Sequence, residues 1–274
     1  MVYEVDTALV VAGFSGAVAL ASAALSRSTQ LKLTKLTAER EKESRAEERR
    51  SAAKVVLDRC RGPLLDAAWQ LGDIVDNIRH RDFLAYLSSG GGREQDAKFT
   101  MLFRFARYLG WREYVREEVQ LLRFENEKDT RLVAGFLDDL SWVLASDRLD
   151  GEWAMLWGDE QRAIGELMTE HLSDASPLVR GHAAFRRDYD RTFAPWMERL
   201  AGDLLTPASV TSDRLRLLQW ALLGLVSKLD EEGTYSTAGW MARSAEEIRQ
   251  PARQEGMTNT EQRVREHLAG IRSG

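Results

Sequence analysis

TALVVAGFSGAVALASAAL, residues 7–25, is a run of nineteen residues without a charge. A helix rises 1.5 Å per residue, so the run spans about 28 Å, close to the roughly 30 Å hydrocarbon core of a bilayer. It predicts a transmembrane helix over residues 7–26, preceded by a short extracytoplasmic N-terminus, residues 1–6. Two other readings compete. Ala21-Ser22-Ala23 resembles a signal-peptide cleavage site, although Glu4 and Asp6 stand where a basic leader belongs. The run could also be a core helix, but it carries no polar face at helical spacing.

Charge sets the orientation. Arg27, Lys32, Lys35, Arg40, Lys42 and Arg45 follow the run, and no basic side chain precedes it. Positive flanks stay cytoplasmic, which puts the large C-terminal part in the cytosol. The lone cysteine, Cys60, cannot form an internal disulfide, in keeping with a reducing compartment. Within the run, Gly13 with Ala17, Ala12 with Gly16, and Ala17 with Ala21 place small residues four apart. Such spacing lets two helices pair closely in lipid, so Gly13, Gly16 and Ala17 are the candidate pairing face and a homo-oligomer is one expected partner state.

Next comes AEREKESRAEERR, residues 38–50, with five acidic and five basic side chains. Glu41 with Arg45, Glu39 with Lys42, and Glu47 with Arg50 fall at helical neighbour spacing. No apolar stripe accompanies them. Residues 27–52 therefore read as a solvated helical stalk whose basic side chains can also meet anionic lipid headgroups.

The remainder reads as an all-α cytosolic multi-helix bundle. Residues 53–171 form the main bundle, residues 178–230 add further helices packed on it, and residues 231–274 read as a polar, partly flexible tail with one short helix near 261–271. Gly62-Pro63 predicts a break or kink, residues 88–93 (SSGGGR) a loop, and Gly110 the joint of an aromatic helix pair. Asp129 and Asp159 are candidate caps, with a loop at residues 147–151 between their helices. Residues 172–180 read as a joint, and the helix over 183–205 breaks near Pro195. The helix over 213–229 contains LLQWALLGLV, too short to cross a bilayer and therefore a buried central helix.

No phosphate loop, dinucleotide fingerprint, zinc helix or CxxC is present, and no catalytic, cofactor or metal residue is assigned. His80, His171, His182 and His267 are scattered; Glu166 and Glu170 share a face but recruit no histidine. Asp188 and Asp190 point apart on a helix and read as ion-pair partners of Arg187 and Arg191. Arg104, Arg107 and Arg112 interleave with Phe103, Phe105, Tyr108 and Trp111. That pattern fits either a partner surface or arginines snorkelling from a half-buried helix. A net charge of −5 argues against general nucleic-acid affinity. Trp153 and Trp157 are placed on one helical face that could line a pocket or groove. Arg104, Arg107, Trp111, Trp153 and Trp157 are thus the candidate partner or ligand surface.

The segments RCRGPLLDAAWQLGDIVDNI (59–78), RHRDFLAYL (79–87), FRFARYLGWREYVREEVQLLRF (103–124) and MLWGDEQRAIGELM (155–168) resemble the cytosolic part of an uncharacterised group of bacterial single-span helical proteins. The resemblance implies architecture only, and no activity. Richness in Ala, Arg and Gly points to a bacterial source, which with the apolar run and its basic flank gives an inner-membrane location. Three function classes follow: a membrane-anchored, non-enzymatic scaffold or regulator with protein partners; a sensor or enzyme with a ligand pocket in the helical body; and a membrane-permeabilising defence effector, which the uncharged span serves least well.

Overall fold

The computed structural model describes residues 35–45, 47–48, 51, 55, 59–88, 92–122, 128–170, 178–230, 232–237, 239–240, 242–243 and 247. The transmembrane helix expected over 7–26, with Gly13, Gly16 and Ala17, lies outside them, as does the helix expected near 261–271. The chain divides into two compact units, Met1–Ala52 and Ala53–Gly274.

In the first unit, residues 35–45 are helical and exposed on every face. That follows from their composition: no face is apolar, so none can be buried. Glu41 and Arg45 pair at 3.6 Å in open solvent, a contact that adds little stability.

The second unit is all-α. Its first helix, α1 (residues 59–80), buries Cys60, Leu64, Ala67, Ala68, Leu71, Ile74, Val75 and Ile78. These recur at three and four, the spacing of one helical face. Gly62 and Pro63 do not break it; one lost N–H bond is outweighed by the burial on either side. A short α2 (Ala85–Ser88) precedes the long α3 (Glu94–Leu122), followed by α4 (Lys128–Ala145) and α5 (Gly158–Met168). A two-residue antiparallel pairing, β1 (Thr169–Glu170) with β2 (Leu178–Val179), is the only extended ladder among the described residues. Next, α6 (His182–Asp188), a π-helical turn (Tyr189–Phe193) and α7 (Ala194–Leu204) run end to end. Then α8 (Ala208–Thr211) leads to α9 (Asp213–Leu229).

Three sequence expectations are corrected here. Gly110 does not separate two helices, because α3 runs through it unbroken. Its missing side chain admits a neighbour instead: a Cβ there would sit 2.8 Å from the Met168 Cβ. Gly165 faces the same seam, where a Cβ would lie 2.6 Å from the Glu113 Cβ and 2.8 Å from the Leu109 carbonyl. Together the two glycines let α3 and α5 pack closely.

Near Pro195 the helix changes pitch rather than ending. The Ala194 N–H bonds back five residues to the Tyr189 carbonyl. A proline has no N–H and crowds the carbonyl four residues earlier; the wider turn relieves both. Two expected caps also lie inside their helices: Asp129 follows Lys128, the first described residue of α4, and α5 is capped at Trp157, not Asp159. Glu160 Oε2 accepts the Trp157 N–H at 2.7 Å, taking up one of the orphan donors of that end.

α9 is the centre of the body, with fifteen of its seventeen residues buried. Ser212 caps it, its hydroxyl accepting the Leu215 N–H at 3.1 Å. Among the described residues no helix is long and apolar enough to cross a membrane. One buried residue of α9 is a cation. Arg214, 0% exposed, sends its guanidinium to the carbonyls of Val143, Leu144, Ser146, Leu149, Gly151 and Trp153. The first two belong to the last turn of α4, whose C-terminal carbonyls lack helical partners and favour a positive charge. Burial pulls the pKa of Arg214 down to about 10, so it stays charged at neutral pH.

Candidate functional site

Among the described residues, the densest set of titratable groups lies where the end of α1 and the middle of α9 meet Trp240, Arg243 and Glu247. The local reason is spacing. On α1, Gly72, Asp76 and His80 recur every four residues, one stripe of a helix. In the C-terminal segment, Trp240, Arg243 and Glu247 recur at three and four and match that stripe position for position.

Trp240 is 3% exposed and stacks on Trp69, ring centroids 6.1 Å apart. It enters where Gly72 has no side chain; a Cβ there would lie 2.4 Å from the indole. Arg243 then reaches the fully buried Asp76, its Nε donating to Oδ1 at 2.7 Å and its Nη2 pairing with the other oxygen. Asp76 also accepts from Gln219 Nε2 on α9 at 2.9 Å and pairs with Arg81 Nε at 3.2 Å. Glu247 accepts from Arg79 Nη2 at 2.6 Å and from the Trp220 indole at 3.2 Å. Arg79 also donates to the Gln219 side-chain oxygen. Tyr235 extends the contact backwards, packing on Trp69 and donating to Asp66 at 3.2 Å.

His80 sits between the two carboxylates. Its Nδ1 lies 3.2 Å from Asp76 Oδ1 and its Nε2 3.4 Å from Glu247 Oε1. Hydrogen bonding to Asp76 and then to Glu247 raises its pKa above 6.5, against the opposing effect of burial. Burial pushes both carboxyls up, but the cations win. Hydrogen bonds from His80 and Arg243 hold Asp76 at about 2, and those from His80 and Arg79 hold Glu247 at about 2. Arg79 is lowered by burial, partly offset by Glu247.

The tail expected over 231–274 is therefore corrected at its start. Its first described residues return to α1 and complete the core, because one tryptophan and two charged side chains share a helical face there.

The candidate surface residues go to different places. Arg104 donates to Asp73 at 2.8 Å and Arg107 pairs with Asp66 at 2.8 Å, so both staple α3 to α1. Arg112 turns to Gln161 and Ser141, at 2.8 and 3.0 Å, joining α3 to α5 and α4. Trp111 is half-buried against Tyr114. Trp153 and Trp157 do not share a helical face, which corrects that reading: Trp153 lies in a turn, its indole 3.3 Å from Thr206 Oγ1, and Trp157 is the 61% exposed cap of α5. Asp188 pairs with Arg187, the partner its spacing suggested, and with Arg180, each at 3.0 Å. Glu170 and His171 carry no described side chain, and His182 packs edge-on against Phe103.

A groove of about 380 Å³ opens nearby, lined by Arg61, Leu65, Leu229, Asp230, Glu232 and Tyr235 among others. Two of its charges, on Arg61 and Asp230, are committed to the backbone. Arg61 Nε donates to the Leu229 carbonyl at 2.8 Å, and Asp230 accepts the N–H groups of Thr234 and Tyr235, both at 2.8 Å.

Compared with known protein families, curated proteins and solved structures, the chain matches none.

Proposed function

We propose that the protein is a membrane-anchored, non-enzymatic interaction or regulatory protein that carries its helical body on the cytosolic side of a bacterial inner membrane. The observation that carries this reading is the helix at residues 35–45, exposed on every side and directly following the apolar run and its basic flank. A helix with no face to bury is not part of a core, and its charges suit a spacer in water beside headgroups. The body supports a binding rather than a chemical role: its strongest charged cluster is closed by mutual pairing of Asp76, Arg79, Arg243 and Glu247. A sensor that takes a small ligand is the second reading, favoured by the groove beside Tyr235. The commitment of Arg61 and Asp230 to the backbone places it behind.

The test is fractionation of the full-length chain beside a version lacking residues 1–30, with affinity capture from each. Full-length protein should stay with carbonate-washed membranes, the deletion should be released, and their captured partners should differ. Intact full-length protein in the soluble fraction, or an unchanged partner set, refutes the tether.

A further inference from the structure

The His80 geometry has a property that no other contact in the cluster shares. Both ring nitrogens face carboxylate oxygens, at 3.2 and 3.4 Å. A carboxylate only accepts, and a neutral imidazole has one N–H, so only the doubly protonated ring donates to both. The two carboxylates differ in origin. Asp76 lies one turn earlier on the same helix and stays beside His80 whatever the C-terminal segment does. Glu247 belongs to that segment and leaves if it lifts.

We propose that Trp240, Arg243 and Glu247 form a latch over α1 and α9 whose grip is set by the proton on His80. With the proton on, His80 ties α1 to Glu247. With it off, a lone pair faces one of the two carboxylates and the latch loses one charged hydrogen bond. The other groups on the two carboxylates are Arg79 at the end of α1, Arg81 just after it, Arg243 from the latch, and Gln219 and Trp220 from α9, with Arg216 near Arg79. Arg79 to Glu247 and Arg243 to Asp76 persist without the proton. The proton therefore tunes the latch rather than creating it. Opening uncovers the gap at Gly72 and the indole face of Trp69 now covered by Trp240.

The sign follows from the direction of the shift. A histidine whose pKa is raised in the folded state contributes fully below 6.5 and loses that contribution as pH rises through its folded value. The latch is tightest in mildly acidic solution and loosens toward alkaline pH.

Amide hydrogen exchange of the full-length chain, read by mass spectrometry at about pH 5.5 and about pH 8.5 and corrected for intrinsic exchange, tests it. The opening constant of residues 239–247 should be about tenfold higher at the upper pH, the scale of one partly exposed charged hydrogen bond, while α9 stays protected. In His80→Gln the ratio should fall to about one. A wild-type ratio near one, or a tenfold ratio kept in His80→Gln, overturns the latch. If His80→Gln also loosens α9, Glu247→Gln decides, since it keeps an acceptor for Arg79 but removes the carboxylate facing His80. A tenfold ratio retained in Glu247→Gln likewise overturns it.

Discussion

Replacing Arg214 by Met should remove much of the body's stability. Six carbonyls accept from this guanidinium, and four of them, on Val143, Leu144, Ser146 and Leu149, belong to buried residues. Leu144 keeps the Leu156 N–H as a donor, which leaves Val143, Ser146 and Leu149. A buried acceptor left without a donor costs about 1–3 kcal/mol. Three such acceptors give about 3–9 kcal/mol, and the apolar methionine stem recovers about 1–2 kcal/mol of that. The middle of each range gives a net loss of about 4–5 kcal/mol, against a total that for ordinary domains is about 5–15 kcal/mol. Arg214→Lys should restore only part of it, because a compact ammonium offers three donors where the planar fork offers five. Urea unfolding followed by far-UV circular dichroism measures both variants, and exchange at the end of α4 localises the damage. A loss below about 1.5 kcal/mol for Arg214→Met, or a neutral Arg214→Lys, would refute the view that this cation organises residues 143–153.

Two further outcomes are expected. Gly165→Ala places a methyl 2.6 Å from the Glu113 Cβ and 2.8 Å from the Leu109 carbonyl. The α3–α5 seam should then loosen by about 1–3 kcal/mol, seen as a Tm lower by about 2–10 °C in calorimetry; an unchanged Tm counts against close helix approach there. Asp76 and Glu247, held at about 2 from ordinary values of 3.8 and 4.5, contribute stability that is present above those ordinary values and lost as pH falls toward 2. Acid unfolding of Asp76→Asn should show a shallower dependence over that window than the parent, and an identical profile would show the pairing to be energetically idle.

Legibility in the sequence followed how local each cause is. The bounds of α9 are readable from a Ser-Asp start and an apolar run at helical spacing, since cap and periodicity sit within a few residues of each other. Gly110 reads as a joint because a glycine inside a helical pattern usually lowers helix preference; its reason is Met168, which no local pattern reveals. Arg104 and Arg107 are visible as basic side chains among aromatics, but Asp73 and Asp66 on α1 decide that they staple helices. Arg214 at a helix start looks like a solvated charge, and the carbonyls that trap it come from the end of α4 and the loop after it, over sixty residues earlier. The cluster at His80 is hidden for the same reason. Its one sequence signal is the match of Trp240, Arg243 and Glu247 to the Gly72, Asp76 and His80 stripe, two helical spacings that make sense only once α1 and the chain end are known to meet.

Contacts that join residues 167 and 168 apart also set a timetable for synthesis. A ribosome adding about 5–20 residues per second needs roughly 8–35 s to pass from Asp76 to Glu247. Through that interval the nascent chain holds Asp76 without Arg243 and the Gly72 notch without its indole. The turn that carries Trp240 and Arg243 thus shields a helix that left the exit tunnel long before it, and truncated translation products would present that bare face to chaperones and proteases.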